Sequence, residues 1–218
     1  KQNAESGEVK IHINVSEGPR YVVNFEGNEE FWGFSLNNDL VLFTEGNRGG
    51  LGIRKSVRNI SERYRQAGYP EVRVKAETKK TGSDEKPERH VTFLIEEGPR
   101  HIVKDVDVQG NEAFSDEKIQ KQMITGPPGF LFDGAYVPDV LKEDARAVKA
   151  LYLESGYTRA QISYSDKQQP SKKADIVDVS VTVSIAEGLQ TEIAAIHFKG
   201  DLPINEKQAR KVLSMTAG

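Results

Sequence analysis

The sequence Glu97-Gly98-Pro99-Arg100 lies near the middle of this 218-residue chain and decides the fold, because it recurs. Glu17-Gly18-Pro19-Arg20 lies 80 residues earlier, and a weaker copy, Glu187-Gly188-Leu189-Gln190, lies 90 residues later. Self-similarity at a nearly constant spacing is typical of chains built from tandem structural units. The chain is therefore expected to consist of copies of one unit of about 80 to 90 residues.

Two further dipeptides recur in the same order after the turn. Gly27-Asn28 and Gly110-Asn111 follow the first two turns, and Gly200-Asp201 follows the third. Gly68-Tyr69 and Gly156-Tyr157, which are 88 residues apart, come later in the first two copies. Three markers in one order indicate a repeat more strongly than any one of them alone.

Alternating apolar residues predict a strand before each turn, since every second side chain of a strand faces the same side of its sheet. These residues are Val9, Ile11, Ile13 and Val15, then Val91, Phe93 and Ile95, then Val179, Val181, Val183 and Ile185. A second, shorter strand is expected after each turn, over 22–25, 103–108 and 193–198. Gly-Asn or Gly-Asp closes that strand, as expected where the backbone must turn.

Apolar residues spaced by three and four predict one long helix in each complete copy. The stripes are Ile53, Val57, Ile60, Tyr64 and Ala67 in the first copy and Val137, Leu141, Ala145, Val148 and Tyr152 in the second. Ser35 and Ser115 are expected to cap a shorter helix that precedes each long one. Pro138 is expected in the first turn of its helix, where proline is tolerated.

The order of elements in one unit is therefore strand, helix, helix, strand, strand. The strand that lies between the other two in chain order, here called the middle strand, follows Gly-Tyr, at 72–76 and 162–164. Polar loops at 79–89 and 166–175 lead from it into the alternating strand. The expected divisions are 1–19 as the last strand of a preceding copy, 20–98 and 99–188 as complete copies, and 189–218 as the start of a following, truncated copy. Both chain ends predict a piece of a longer protein.

This order and these markers resemble the POTRA domain, the polypeptide-transport-associated repeat of the periplasmic arm of BamA-type outer-membrane assembly factors. The resemblance covers essentially the whole chain. Departures from the pattern are Leu189-Gln190 for Pro-Arg, Asp201 for Asn, and an aromatic cluster of Phe31, Trp32 and Phe34. The resemblance implies an α+β fold of tandem POTRA domains, each with a three-stranded mixed sheet packed on two antiparallel helices.

The resemblance also implies that the middle strand of each unit lies at the edge of its sheet, over 71–78 and 160–166. An edge strand presents unpaired backbone groups, and another chain can add to it as a further strand by β-augmentation. The residues expected to bind in this way are Glu71, Val72, Arg73, Val74, Lys75, Ala160, Gln161, Ile162, Ser163 and Tyr164. Charged residues on the first edge predict weak, transient binding.

The partners and location follow from the resemblance alone. They are unfolded outer-membrane proteins, periplasmic accessory lipoproteins or chaperones, and a C-terminal membrane β-barrel of the same chain, at the periplasmic face of the outer membrane. Two alternatives stay open. One is the arm of a two-partner secretion pore or another translocation pore, and the other is a passive spacer that holds other repeats at a set distance.

Composition argues against other classes of function. The formal net charge of −3 gives no basic surface for nucleic acid, and the absence of cysteine excludes disulfides and thiolate chemistry. No catalytic motif, cofactor site or metal site is expected. The four histidines are His12, His90, His101 and His197. They lack the spacing of metal ligands and are expected to face solvent or lie in turns.

Two local features have a sharper and a plainer interpretation. The glycine-rich stretch 46–52 matches neither phosphate-binding glycine pattern and is expected to connect two helices. The aromatic cluster of Phe31, Trp32 and Phe34 is expected to pack in a core or between domains. An exposed peptide-binding patch is the alternative for that cluster.

Overall fold

The computed structural model describes residues 11–13, 18–43, 49–83, 86–130, 132–197 and 208. The chain divides into two compact units, one of residues 1–63 and 72–97 and the other of residues 64–71 and 98–218. Each unit contains the predicted order of strand, helix, helix, strand and strand. The predicted α+β fold is confirmed.

The first unit has a three-stranded mixed sheet. Its elements are β1 (Arg20–Glu26), α1 (Gly33–Leu36), a 3₁₀ turn (Asn37–Asp39), α2 (Gly50–Gln66), β2 (Arg73–Gly82) and β3 (Pro87–Glu96). The strand order is β1-β3-β2, with β1 parallel and β2 antiparallel to β3. The alternating strand β3 is therefore the central strand.

The second unit repeats this topology. Its elements are β4 (Arg100–Gln109), α3 (Asp116–Gln120), α4 (Pro138–Glu154), β5 (Gln161–Pro170) and β6 (Ile176–Ala186). The strand order is β4-β6-β5, and the register of β4 shifts between Val103 and Asp105. No helix among the described residues is long and apolar enough to cross a membrane.

Predicted periodic residues form much of the core of each unit. Those with no exposed surface include Ile60, Val91 and Phe93 in the first unit and Val148, Val179 and Val181 in the second. Each such side chain contributes about 1.5–3 kcal/mol through burial of its apolar surface. The alternating apolar residues of the central strand and the apolar stripe of the long helix thus bury one face of each element against the other.

Gly27 and Gly110 occupy turns that only glycine can form. Their φ angles are +76° and +79°, in the left-handed region that side chains rarely adopt. A Cβ atom at either position would also lie less than 3.0 Å from a backbone carbonyl oxygen, that of Ile95 or Ile185. The glycine of the Gly-Asn marker therefore permits the first strand to turn away beside the last one.

Glu97 and Glu187, from the second and third Glu-Gly turns, each fix a loop that follows Gly-Asn. In the first unit, Glu97 Oε1 accepts hydrogen bonds from the backbone N–H groups of Glu29 (2.7 Å) and Glu30 (2.9 Å). In the second unit, Glu187 Oε1 accepts one from the Ala113 N–H (2.9 Å). The two sequence markers recur together because one holds the other in place.

The described parts of the predicted first and last strands of the chain do not form strands. Residues 11–13 and 193–197 have no regular secondary structure, and the remaining residues of those predicted strands, 9, 10, 14, 15 and 198, lie outside the described residues. In both units the first strand pairs with the last strand of the same copy. A single strand without such a partner has no inter-strand hydrogen bonds to hold it.

The polar loops are shorter than predicted. β2 continues to Gly82 and β3 begins at Pro87, so residues 83–86 connect them rather than 79–89. β5 continues to Pro170 and β6 begins at Ile176. Polar residues at these strand ends pair through their backbones, which the hydrophobic pattern does not record.

One of the two predicted helix caps is wrong. The Ser115 hydroxyl accepts a hydrogen bond from the Lys118 N–H (3.3 Å) at the start of α3, as predicted. Ser35 lies inside α1, whose N-cap is Trp32, and the Trp32 side chain makes no capping hydrogen bond. Pro138 begins α4, as predicted. Of the glycine-rich stretch, residues 46–48 lie outside the described residues, and α2 begins at Gly50.

Candidate functional site

The edge of the first sheet is β2, since β3 separates it from β1. β2 pairs antiparallel with β3 along its whole length and has no second strand partner among the described residues. Val74 is partly buried, whereas Arg73 and Lys75 are exposed. β2 is therefore the edge at which an added strand could pair.

The edge of the second sheet is β5, which pairs antiparallel with β6. Ile162 packs against the core of the unit, and Gln161 and Ser163 are exposed. Tyr164 keeps 41% of its surface exposed. The implied placement of both middle strands at the edge agrees with the strand order of the structure.

Three of the predicted binding residues precede the strands. Glu71 lies in a turn, and Val72, only 6% exposed, links this turn to β2. Ala160 is 2% exposed and donates its N–H to the Tyr157 carbonyl oxygen (3.1 Å). The predicted edges began too early, because a turn intervenes between each Gly-Tyr marker and its strand.

The opposite edge of the second sheet is partly covered. The Val103 N–H of β4 donates to the Gly134 carbonyl oxygen (2.8 Å), and the Tyr136 N–H donates to the His101 carbonyl oxygen (2.9 Å). Ala135 forms an isolated antiparallel bridge with β4. In the second unit, β5 therefore offers the more open backbone edge.

The two edges differ in charge. β2 carries Arg73, Lys75, Lys79 and Lys80 against a single acidic residue, Glu77. β5 carries one acidic and one basic residue and is otherwise rich in serine and glutamine. Lysine on an edge strand opposes pairing with another strand, so the first edge is the better protected against uncontrolled association.

Two buried tyrosines of the second unit hydrogen-bond to carboxylates. The Tyr136 hydroxyl, 3% exposed as a residue, hydrogen-bonds to Asp166, and burial raises the pKa of Tyr136 with a further contribution from this carboxylate. Tyr152 donates to Glu187 (2.8 Å), and burial together with that bond raises the pKa of Tyr152. These tyrosines are neutral hydrogen-bond donors at physiological pH.

His101 of β4 is buried, so the prediction that it faces solvent or lies in a turn is wrong. It is 4% exposed, and neither ring nitrogen has a hydrogen-bond partner within the described residues. Burial lowers its pKa, which the carboxylates of Glu71 and Asp166 partly oppose. Glu71 Oε1 lies 3.9 Å from His101 Nε2. The signal in the sequence was that His101 stands two residues before Val103, on the inward face of β4.

Comparison with protein families gives one match that covers most of the chain. The family model described as POTRA, surface antigen variable number repeat, matches residues 22–98 and 101–188. These two stretches contain all six strands except the first residues of β1 and β4.

Curated relatives match at low identity. A protein of Treponema pallidum named as an outer membrane protein assembly factor is 23% identical over 213 residues, which is 96% of this chain and 25% of the relative. The outer membrane protein assembly factor BamA of Nitratidesulfovibrio vulgaris is 22% identical over 171 residues, 75% of this chain and 20% of the relative. The chain thus spans a quarter or less of the length of these relatives.

Solved structures are also similar. The POTRA3-5 crystal structure of Haemophilus influenzae BamA is 18% identical, with a TM-score of 0.44 over 92% of this chain and 78% of that one. The N-terminal domain of Omp85 from Thermosynechococcus elongatus is 18% identical, with a TM-score of 0.33 over 77% of this chain and 67% of that one.

Proposed function

Because this chain belongs to the POTRA family, we propose that it forms part of the periplasmic arm of an outer-membrane β-barrel assembly or translocation factor. In this role it binds unfolded outer-membrane polypeptides by β-augmentation. The binding sites are β2, through Arg73, Val74 and Lys75, and β5, through Gln161 to Tyr164. The sequence repeats 20–98 and 99–188 are the two POTRA domains.

The observation that supports this proposal is the position of β2 and β5 at sheet edges with no second strand partner among the described residues. Main-chain pairing supplies the same donors and acceptors whatever side chains the incoming strand carries. A site of this kind suits a module that receives many different polypeptides. Specificity then depends weakly on the side chains beside the edge.

We propose that the two edges differ in how tightly they bind a polypeptide strand. The four basic residues of β2 repel a basic strand and favour an acidic one, whereas β5 has no net charge. Charge on an edge also opposes pairing in general. We therefore expect β5 to bind neutral barrel strands more tightly than β2 does.

Further partners are proposed from the family. They are periplasmic accessory lipoproteins or chaperones and a C-terminal membrane β-barrel of the same chain, with the arm at the periplasmic face of the outer membrane. The named relatives, which are outer membrane protein assembly factors, support this assignment. An arm of a two-partner secretion pore is the alternative within the same family.

A passive spacer is the second candidate. The tandem units support a spacer as well as a polypeptide-binding module, because repeat arrays hold their neighbours at set distances. The two functions differ at the edges alone. A spacer needs no open strand, and its edges would bind no peptide.

Amide hydrogen exchange tests the proposal. In an edge strand, alternate N–H groups already bond to the neighbouring strand, and the others face the open edge. A bound peptide strand should slow exchange at every second amide of 73–82 or 161–170. The alternate amides of the same strands, which are already bonded, serve as the internal control. Peptide binding without this period-two pattern would contradict β-augmentation.

A charge exchange between the edges sharpens the test. Ser163→Lys with Ser165→Lys should weaken binding of a neutral barrel-strand peptide to β5, because both residues are exposed beside the incoming strand. Lys75→Ser with Lys79→Ser should strengthen binding to β2. Isothermal titration of the 218-residue chain measures both changes. Equal affinities in all variants would favour the spacer.

A further inference from the structure

The start of α1 and the start of α3 are equivalent positions in the two units. Asn28 Nδ2 donates to the Phe31 carbonyl oxygen (2.8 Å), and Asn111 Nδ2 donates to the Phe114 carbonyl oxygen (2.9 Å). Five residues after each phenylalanine stands a fully buried aliphatic residue, Leu36 in one unit and its counterpart in the other. The two segments therefore correspond residue by residue without a gap.

At equivalent positions, the second unit has polar residues and the first unit has aromatic ones. Ser115 is the N-cap of α3 and Glu117 lies in its first turn, as helix starts prefer. The first unit has Trp32 at the cap and Phe34 in the first turn, and the Trp32 side chain makes no capping bond. Trp32 and Phe34 therefore give up a favourable helix start that the same fold uses in its second copy.

These aromatic side chains are not used for the core. Trp32 is 74% exposed and Phe34 is 70% exposed, and their rings meet edge to face with centroids 5.8 Å apart. The expectation that they pack in a core is wrong for these two residues. Large apolar side chains that are exposed together, at a cost to local structure, indicate a binding surface.

The chain segment that carries the pair is acidic. Glu26, Glu29 and Glu30 are exposed, and no lysine or arginine occurs between Arg20 and Arg48 in the sequence. The loop that carries Glu29 and Glu30 is held by their backbone bonds to Glu97. Negative charge beside two exposed aromatic rings favours a cationic partner.

The first unit already contains a contact of this type. The Arg63 guanidinium lies 4.4 Å from the centroid of the Phe31 ring and pairs with Asp39 at 2.9 Å. A cation placed over an aromatic ring beside a carboxylate is therefore compatible with this loop. Trp32 and Phe34 present two further rings to solvent, in the same chain segment as the exposed Glu29 and Glu30.

We propose that Trp32 and Phe34, together with Glu26, Glu29 and Glu30, form a docking surface for a polypeptide segment that carries Lys or Arg beside an apolar side chain. This surface is separate from the edge strands β2 and β5. It recognises side chains rather than backbone. It gives the first unit a preference for sequence that main-chain pairing lacks.

Fluorescence of Trp32 tests the proposal directly, because it is the only tryptophan in the chain. The 218-residue chain is titrated with a short peptide of alternating leucine and lysine whose backbone is N-methylated, so that it cannot pair with an edge strand. We expect a saturable blue shift of emission that weakens as salt is raised. A peptide with glutamate in place of lysine should cause no shift.

Variants assign the binding to this surface. Because a variant without Trp32 has no tryptophan emission, its binding is followed through a fluorescent label on the basic peptide. Trp32→Ser with Phe34→Glu copies the second unit and should weaken binding of this labelled peptide at least about tenfold without lowering the melting temperature. Glu29→Gln with Glu30→Gln should weaken it about threefold or more. Asp116→Asn with Glu117→Gln removes two exposed carboxylates at the start of α3 in the second unit and should leave the affinity unchanged.

Three outcomes would overturn the proposal. They are no change in Trp32 emission, equal shifts with the basic and acidic peptides, and a shift that depends on protein concentration without peptide. The last outcome would assign the surface to a second copy of the chain. Exchange protection at β2 or β5 is measured separately, so either site can fail while the other stands.

Discussion

The two units share the same internal devices and differ in what they present to solvent. Gly27 and Gly110 make the same turn, and Glu97 and Glu187 hold the same loop. The edges differ in charge, and the short helices begin with aromatic residues in one unit and with polar ones in the other. What both copies keep supports the fold, and what they change is where we propose separate binding properties.

The largest expected loss of stability follows from changing the glycine turn that both units share. Gly110→Ala should destabilise the second unit by about 3 kcal/mol or more, because the new Cβ would meet the Ile185 carbonyl oxygen at a φ that disfavours side chains. Gly27→Ala should do the same to the first unit. Gly126→Ala, where a Cβ would meet nothing within 4 Å, is the control. Urea unfolding followed by residue-resolved NMR separates the two units. Equal loss in all three variants would show that the turn does not set stability.

The next prediction concerns a buried polar residue on each long helix, which differs between the two units. Asp144, 2% exposed, accepts hydrogen bonds from the Ile124 and Thr125 N–H groups (2.8 Å each). In the first unit, the Ser56 hydroxyl accepts from the Val41 N–H (3.0 Å). Asp144→Ala should cost about 2–3 kcal/mol, since it leaves buried donors unpaired, and Ser56→Ala about 1 kcal/mol.

Urea midpoints at constant m-value measure both losses. Asp144→Asn, which keeps one carbonyl acceptor, is the matched control and should fall between wild type and alanine. If Asp144→Ala and Ser56→Ala cost the same, the carboxylate adds nothing beyond one hydrogen bond.

The sequence predicted the buried framework well, because period two and the three-and-four spacing record which side faces the core. Val91, Phe93, Val179 and Val181 were all identified in this way. It did not predict Asp144, because a buried carboxylate in an apolar stripe depends on donors twenty residues away. The edge position of β2 and β5 came from family resemblance, since strand order is a long-range property that local periodicity does not encode.

Other misses have the same origin. Glu97 binds a loop 67 residues away, so its recurrence in the sequence did not reveal which groups it contacts. The start of β2 was misplaced by two residues, because the turn at Glu71 looks like part of the alternating pattern. Trp32 at a helix start violates the preference for Ser, Thr, Asp or Asn, and this violation misled the assignment of Ser35 as the cap.

A smaller effect concerns acid stability, which should differ between the units. His101 has a pKa lowered by burial, with Glu71 and Asp166 as the facing carboxylates. Because protonation is disfavoured in the folded state, its contribution to stability is present above about pH 6.5 and is lost as the pH falls below that value. The second unit should therefore lose stability between pH 7 and pH 5.

Two variants isolate this effect. His101→Leu should remove the His101 part of the acid loss, while His90→Gln in the first unit, whose ring lies 3.5 Å from Glu88, should leave the second unit unchanged. Residue-resolved unfolding at several pH values reports each unit. An unaltered acid profile in His101→Leu would assign the loss to other groups.

The smallest effect compares the two helix starts. Ser115→Ala should cost the second unit about 1 kcal/mol, because the Lys118 N–H loses its acceptor. Trp32→Ser should stabilise the first unit by roughly 0.5 kcal/mol, since a serine there can cap α1. Thermal unfolding of the single variants measures both changes. A gain in stability together with a loss of peptide binding would mean that Trp32 is retained for recognition at the expense of the fold. A loss of stability in Trp32→Ser would mean instead that its ring supports the first unit, and the two helix starts would then differ for structural reasons.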